Sequence, residues 1–428
     1  MMIKHFDNII SSEKTYIWVC NFGIENLWDN SLDSSASSNL FLNNIEELSF
    51  LLAREQDYVI LQKEPDMSYL TTLQDLGIPV SRYIVLNSYD YSLIGEYLQS
   101  DEKKKIEPSD YCWITYAADE KIKKYADLNG HSFLYFNDNL QLKNNKINLR
   151  DLLIKKGINY PKSYIVEGLT QLKNEFDKLK EMGFERVILK KPYGASGKGS
   201  FILDDKKQIN SCYRYFMKKT NNSAILEGFY ENALNFNYQI YISQDGNNSL
   251  FFMSDQIIRQ LIYSGSSFPT KLDDKYTELI TESAERIGRM LYNDGIRGVV
   301  GIDGFVANNQ VFPAIDVNVR FTMSTYFTKL QSVFGSELKY QTSISDLFID
   351  KPLTYEKLKS IMLKEKIFFN KTTKSGVFIM LSGPLPREKD ERTNKYQGRI
   401  YSIAIGSDWK QVEQLSSAFN LLIDELER

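Results

Sequence analysis

Histidine is nearly absent from this chain: His5 and His131 are the only two in 428 residues. A zinc site built from several histidines is therefore excluded, and a Ser-His-Asp triad would have to use one of these two. Cysteine is just as sparse. Cys20, Cys112 and Cys212 are far apart, odd in number and without CxxC spacing. That excludes a disulfide framework and a thiolate zinc site, and it suits a reducing cytoplasm. No run approaches the roughly 18 apolar residues of a membrane span, and the opening MMIKHFDNII lacks the apolar stretch of a secretory signal. An excess of either charge is missing too. Lys plus Arg (52) nearly balances Asp plus Glu (55), so bulk electrostatics give no reason to expect nucleic acid. The expectation is a cytoplasmic enzyme with no nucleic-acid or membrane partner, whose chemistry leans on lysine, arginine, carboxylates and bound ions.

The chain is too long for one compact core, so two or three packed units are expected. In residues 1–136, Tyr16–Cys20 and Tyr58–Leu61 read as buried strands with a helix over Ile45–Ala53 between them. The Ser-rich stretch 31–39 reads as a loop and the charged run Asp101–Lys105 as a solvated face. Strands alternating with helices imply a parallel α/β sheet, and without GxGxxG after a strand no dinucleotide site is expected.

Residues 137–330 begin with a helix over Asn144–Lys156, stopped by Gly157. Strands follow at Arg186–Lys190, Ser200–Leu203, Ala224–Glu227, Phe236–Ser243 and Leu250–Asp255. A long helix over Lys275–Asn293 sets Leu279, Ile280, Ala284, Ile287, Met290 and Leu291 on one side, and a hairpin spans Val299–Arg320. Residues 331–428 add strands at Gly376–Leu381 and Arg399–Ile405 and a closing helix with Val412, Leu415, Phe419, Leu422 and Leu426 at core spacing. The fold class is a multidomain mixture of α/β and α+β.

VILKKPYGASGKGSF (187–201) is the first chemically informative segment. A strand delivers Lys190, and Gly194, Gly197 and Gly199 then alternate with small residues before a second strand. Glycines let backbone N–H groups approach an anion, and Lys190 or Lys198 supplies charge, so polyphosphate is the natural guest. A Walker A loop fails twice: Pro192 stands where its first glycine belongs and Gly199 where its hydroxyl belongs. A hairpin flap fits the pattern better, against the alternative of a plain Gly-rich turn.

In GVVGIDGFVANNQVFPAIDVNVRF (298–321), apolar runs flank Asn308-Asn309-Gln310, which reads as strand, turn, strand. With the turn at Asn309-Gln310, Asp303 pairs directly with Asp316; with the turn at Asn308-Asn309, the two are diagonal. Either register puts both carboxylates on one face, with Asn318 and Arg320 beside Asp316 and with Val317 and Val319 opposite. Two such carboxylates need a cation between them. Mg²⁺ on Asp303, Asp316 and Asn318 meets that need, and so does a structural salt bridge from Arg320.

Taken together these segments resemble the ATP-grasp superfamily. Asn145-Lys146 with Arg150 resembles its first lysine helix, and Lys190 with GASGKG resembles its second lysine and phosphate flap. ILEGFYE (225–231) resembles its adenine hinge strand, and Asp303, Asp316, Asn318 and Arg320 its metal and phosphate cluster. Asn145 stands where the family usually has Asp, and Asp316 where it usually has Glu. The WVCNFG strand is similar to the Rossmann-like pre-ATP-grasp domain that precedes this fold. Asp255-Gln256, Tyr263-Ser-Gly265 and NVRFTMSTY (318–326) look like peptide ligases and carrier-protein ligases of natural-product biosynthesis.

The resemblance implies ATP held by Lys146, Lys190, Gly194, Ser196, Gly197, Lys198, Gly199, Glu227, Gly228, Phe229 and Glu231. It implies two Mg²⁺ ions on Asp303, Asp316 and Asn318, with Arg320 and Lys190 as catalytic residues. The implied reaction joins a carboxylic acid to an amine through an acyl phosphate. Transfer to a carrier-protein thiol and a reaction that stops at phosphoryl transfer are the alternatives, a peptide or carrier protein is a further candidate partner, and a homodimer is left open. The implied organisation is a pre-ATP-grasp domain over 1–136, an ATP-grasp domain over 137–330 and a C-terminal region, 331–428, that completes or caps it.

Overall fold

A computed structural model of the chain describes residues 6–24, 44–86, 111–117, 120–128, 130–194, 199–215, 217, 223–390 and 393–427. The Ser-rich stretch 31–39, the charged run Asp101–Lys105 and His5 lie outside the described residues. Among the described residues the strands form three sheets.

The first sheet is parallel and ordered β3-β2-β1-β4-β5, from β1 (Thr15–Val19), β2 (Tyr58–Leu61), β3 (Arg82–Val85), β4 (Tyr111–Thr115) and β5 (Ser132–Phe133). Its central strands are buried at every position but Thr15, which is half-buried, as the continuous apolar runs require of a sheet covered on both faces. Helix α1 (Met67–Leu76) starts on the Asp66 side chain, which accepts from the Ser68 amide, and ends at Gly77 with φ 83. The expected helix over 45–53 is instead a 3₁₀ helix, Glu46–Leu51. Its six residues are all buried, so packing rather than helix propensity shapes it. Helix α2 (Glu120–Leu128) precedes β5.

The second sheet, ordered β6-β9-β7-β8, is antiparallel: β6 (Ser163–Glu167), β7 (Val187–Lys190), β8 (Ser200–Leu203) and β9 (Ser223–Gly228). Helix α3 (Lys146–Lys155) leads into it. Helix α4 (Gly168–Glu181) packs on it through Leu172, Phe176 and Leu179, giving this sheet its own small core.

The third sheet has eight strands: β10 (Leu234–Ile242), β11 (Asn248–Arg259), β12 (Ile262–Phe268), β13 (Gly298–Ala307), β14 (Gln310–Asn318), β15 (Lys339–Ile349), β16 (Gly376–Ile379) and β17 (Tyr396–Gly406), in the order β14-β13-β10-β11-β12-β15-β17-β16. Pairing of β12 with β15 makes the sheet continuous across residue 330. Helix α5 (Asp274–Asn293) covers one face with Tyr276, Ile280, Ala284, Ile287, Met290 and Leu291. Leu279, expected on that side, is exposed, because it lies at the margin of the buried stripe. Helix α6 (Tyr355–Lys364) leads to β16, and α7 (Trp409–Leu426) closes the chain with Val412, Phe419, Leu422 and Ile423 inward.

The first sheet is docked on the C-terminal strands by buried hydrogen bonds. The Glu47 carboxylate accepts from the Ser382 hydroxyl at 2.7 Å, the Ser382 amide at 2.5 Å and the Gly383 amide at 3.0 Å. Tyr69 donates to the Met380 carbonyl at 2.8 Å. One apolar core runs from Phe6 through β10 and β13 to Ile423. Among the described residues no helix is long and apolar enough to cross a membrane.

Candidate active site

The β13–β14 hairpin turns at Asn308-Asn309, with φ 50 and 58, the left-handed pair that a two-residue hairpin turn needs. Ala307 faces Gln310 and Phe305 faces Phe312, a register that on its own would leave Asp303 and Asp316 diagonal. A register shift between Asp303 and Phe305 cancels the offset, so Asp303 faces Asp316 directly. The extra residues bulge at Pro313-Ala314-Ile315, opposite Gly304. Proline is tolerated there because the ladder is already broken, and the Pro313 carbonyl is taken by the Tyr238 hydroxyl at 3.0 Å. A Cβ on Gly304 would meet the Phe236 ring and the Phe312 carbonyl at 2.6 Å, so the bulge requires glycine. Asn318 faces Gly301, and Val317 and Val319 are buried.

Asp303 is wrapped by amides. It accepts from Asn237 Nδ2 at 2.7 Å, Gln256 Nε2 at 2.8 Å and Asn318 Nδ2 at 3.2 Å. Burial, and then the facing Asp316 carboxylate, push its carboxyl up to about 6, against the pull of the Asn237 amide, Lys146 and Arg320. Gln239 braces this shell, donating to Asn237 Oδ1 at 2.6 Å and Thr322 Oγ1 at 2.9 Å and accepting from Thr325 at 2.8 Å. Sequence reasoning missed Asn237, Gln239 and Gln256 as site residues. The signal was Asn235-x-Asn237-x-Gln239, polar residues of period two in a strand whose other face is Phe236, Tyr238 and Ile240.

Lys146 opens α3. Asn145 caps that helix, accepting from the Ile147 and Asn148 amides at 3.0 and 3.2 Å. The Lys146 amide donates to the Pro192 carbonyl at 2.9 Å, and Asn144 Oδ1 accepts from the Val319 amide at 2.9 Å. These bonds tie the first lysine to both the flap and the hairpin, and the Lys146 ammonium forms an ion pair with Asp316. The alternative in which Arg320 neutralises Asp316 is therefore corrected: Lys146 takes that place. Arg320 is buried, donates to Asn318 Oδ1 at 2.9 Å and the Phe321 carbonyl at 2.8 Å, and lies 5.1 Å over the Tyr116 ring.

Lys190, at the end of β7, sits 2.7 Å from the buried Glu227 carboxylate on β9. Beyond it the flap neck closes, with Lys190 facing Ser200 and the Lys191 amide bonded to the Gly199 carbonyl at 2.8 Å. A Cβ on Gly194 would stand 2.9 Å from the Gly199 Cα, so this crossing needs both glycines. Ser196, Gly197 and Lys198 lie outside the described residues. Lys146, Lys190, Gly194, Gly199, Asp303, Asp316, Asn318 and Arg320 all line one cleft of about 240 Å³.

The hinge residues divide. Glu227 touches the cleft through Lys190. Gly228, Phe229 and Glu231 are not among the residues lining it. Gly228 makes room for the Phe184 ring, which a Cβ would meet at 2.4 Å. Glu231 forms a two-pronged ion pair with Arg186 at 2.5 and 2.6 Å, and the Arg186 guanidinium lies 4.7 Å over Phe229.

The donor set suits Mg²⁺. Asp303, Asp316 and Asn318 are hard oxygen donors, and the facing carboxylates carry the mutual repulsion that a divalent ion relieves. Among the described residues no cluster of three or more His, Cys, Asp or Glu side chains forms a larger metal site. Mg²⁺ commonly needs few protein ligands when phosphates supply the rest.

Two lysines from separate elements, a glycine flap and paired carboxylates on an antiparallel sheet define the ATP-grasp class. Residues 143–324 match the ATP-grasp domain family, and the chain contains that domain. It is 30% identical, over 189 residues, to the [butirosin acyl-carrier protein]–L-glutamate ligase of Niallia circulans, a match covering 44% of this chain and 45% of that enzyme. The chain thus aligns with less than half the length of this curated relative. In fold it is similar to an N5-carboxyaminoimidazole ribonucleotide synthetase in its ADP complex (TM-score 0.57, 12% identity, 98% of this chain and 99% of that one). It is also similar to the biotin carboxylase of Campylobacter jejuni (TM-score 0.60, 12% identity, 95% and 91% covered).

Proposed function

We propose that the chain is an ATP-dependent carboxylate–amine ligase working through an acyl phosphate. The observation that carries this reading is the convergence of Lys146, Lys190 and the Asp303–Asp316–Asn318 set on one cleft. In this reading a carboxylate oxygen of the acid attacks the γ-phosphorus of ATP, forming a C–O–P linkage as ADP leaves. The amine then adds to the acyl carbon, and phosphate departs as the amide forms. Lys146 and Lys190 hold phosphate oxygens, and Gly194 and Gly199, with Ser196, Gly197 and Lys198 of the same Gly-rich segment as further contacts of this reading, let backbone N–H groups approach them. Asp303, Asp316 and Asn318 hold Mg²⁺, which when bound supplies positive charge to offset the polyphosphate. Arg320 stabilises charge on the transferring phosphoryl group. Catalysis is positioning and charge compensation without an enzyme nucleophile, which suits a chain with two histidines.

The same reading gives residues 1–136 the acid-binding side of the cleft, 137–330 the nucleotide machinery and 331–428 the completion of the large sheet, in a cytoplasmic enzyme. The relative named for a carrier protein favours one variant: an acid or nucleophile borne on a carrier protein. Incubation with Mg-ATP, candidate acids and hydroxylamine tests the reaction class. The expected products are an acyl hydroxamate, ADP and free phosphate. A stable phosphorylated product without free phosphate would make the chain a phosphotransferase.

A further inference from the structure

The strand order β3-β2-β1-β4-β5 reverses between β1 and β4, two parallel neighbours. Open α/β sheets bind ligands beyond the carboxyl ends of their strands at such a reversal. Here the two loops leaving those ends are locked together. Buried Asn21 donates to the Ala117 carbonyl at 2.6 Å and accepts from the Ala117 amide at 3.1 Å. Phe22 follows Asn21 and Tyr116 precedes Ala117, and their rings lie 5.0 Å apart at 50°. Tyr116 is further fixed by its amide on the Val19 carbonyl and its carbonyl on the Phe321 amide, both at 2.9 Å. Both rings line the same cleft as Asp316 and Asn318.

The tip of the β11–β12 hairpin also lines this cleft. The hairpin turns at Gln260-Leu261, with φ 50 and 67, a left-handed conformation that leucine seldom adopts. Ile258, 37% exposed, joins Leu261 and Tyr263 in the cleft lining. The Tyr263 hydroxyl is held 2.9 Å from Ser266 Oγ. Besides the lysines and carboxylates, the cleft is therefore lined by an aromatic pair and an aliphatic tip.

On the ligase reading, the acid's carboxylate must meet the γ-phosphorus beside Asp316 and Asn318. Arg320 is bonded to Asn318 and lies 5.1 Å over Tyr116, so a carboxylate placed there directs the rest of the molecule along Tyr116 and Phe22. Among the described lining residues the cations are Lys146, Lys190 and Arg320. On the ligase reading the first two serve ATP, and Arg320 stands nearest the Tyr116 ring.

We propose that the acid activated here carries an aromatic or bulky aliphatic body, packed between the Phe22–Tyr116 pair and the Ile258–Leu261 tip, with Phe22 selecting for it. This proposal rests on the ligase reading for the position of the carboxylate, and one experiment separates the two. Phenylalanine, phenylacetate, leucine and glutamate are compared in Mg-ATP-dependent hydroxamate formation, and in parallel their binding to the full chain with MgADP is measured by calorimetry. The apolar acids exceed glutamate in kcat/KM by roughly tenfold or more. Phe22→Ala lowers affinity and kcat/KM for the aromatic acids roughly tenfold and leaves the KM for ATP unchanged, and Phe22→Leu recovers most of the loss. Should Phe22→Ala fail to fold, Ile258→Ala, at an exposed side chain on the hairpin tip, reads the same discrimination. A preference for glutamate, an equal loss for all four acids or no binding of any overturns the proposal; hydroxamate formed from glutamate would leave the ligase reading standing. Phe22-dependent binding of aromatic acids without any hydroxamate would uphold the pocket and sink the ligase reading.

Discussion

Asp303 and Asp316 face each other directly across two strands whose connecting turn, on its own, would set them two residues out of register. The bulge at Pro313-Ala314-Ile315 opposite Gly304 makes up the difference. Two half-buried like charges are thus brought together at the cost of broken ladder bonds, a local conflict of the kind that marks a functional position.

The two carboxylates should respond differently to removal of charge. Asp316→Asn gives up the ion pair with Lys146 but relieves the repulsion on Asp303, so stability should change by no more than about 1 kcal/mol. Asp303 accepts from three amide groups. An asparagine there turns an N–H toward one of them and should cost about 1–2 kcal/mol. Both variants should lose on the order of a hundredfold or more in turnover. Denaturant melts without metal, read beside ATP turnover, check this; equal stability losses for the two would contradict the asymmetry.

Lys190→Ala strands the Glu227 carboxylate, which is 3% exposed. Breaking such a pair should destabilise the fold by about 3 kcal/mol. The double variant Lys190→Ala with Glu227→Gln should regain most of that stability without regaining ATP binding. Urea melts and nucleotide titrations separate the two effects. A double variant as unstable as the single one would show that Glu227 needs no counter-charge.

Much of this site was legible in the sequence because its parts are local. The flap, the hairpin and the helix capped by Asn145 each fall within one short window, where glycines, alternation and capping residues speak for themselves. The bulge was not legible: both turn placements satisfied the alternation, and tertiary packing of Phe236 and Tyr238 around Gly304 and Pro313 selects the register. The strand Lys339–Ile349 escaped notice because its buried positions, Tyr340, Thr342, Leu347 and Ile349, include a threonine and are interrupted by half-buried and exposed polar residues. Its partner β12 ends at Phe268, far back along the chain. Glu231, an ATP residue by resemblance, forms an ion pair with Arg186, a long-range pairing that the hinge segment alone does not show.

Glu46, buried in its 3₁₀ helix, gives the fold a pH dependence. Burial, and then Glu47 beside it, push its carboxyl from 4.5 up to about 8. Between those values the native protein holds a proton that the unfolded chain has released. Stability from this group is full below about pH 4.5, falls as pH rises and levels off above about pH 8, at no more than about 1.4 kcal/mol per pH unit. Glu46→Gln should flatten that part of the profile and gain on the native sequence most clearly at pH 8. Equal slopes for both proteins between pH 5 and pH 8 would contradict the assignment.

The most direct measurement of the central claim follows one oxygen atom. With an acid labelled with ¹⁸O in its carboxylate, Mg-ATP and an amine, an acyl-phosphate route leaves one labelled oxygen in the released inorganic phosphate. Mass spectrometry of that phosphate should show the label in step with the amide formed. Label in AMP, with pyrophosphate as the other product, would mean an acyl adenylate, and amide formed without label in any phosphorus product would mean that the carboxylate is never phosphorylated.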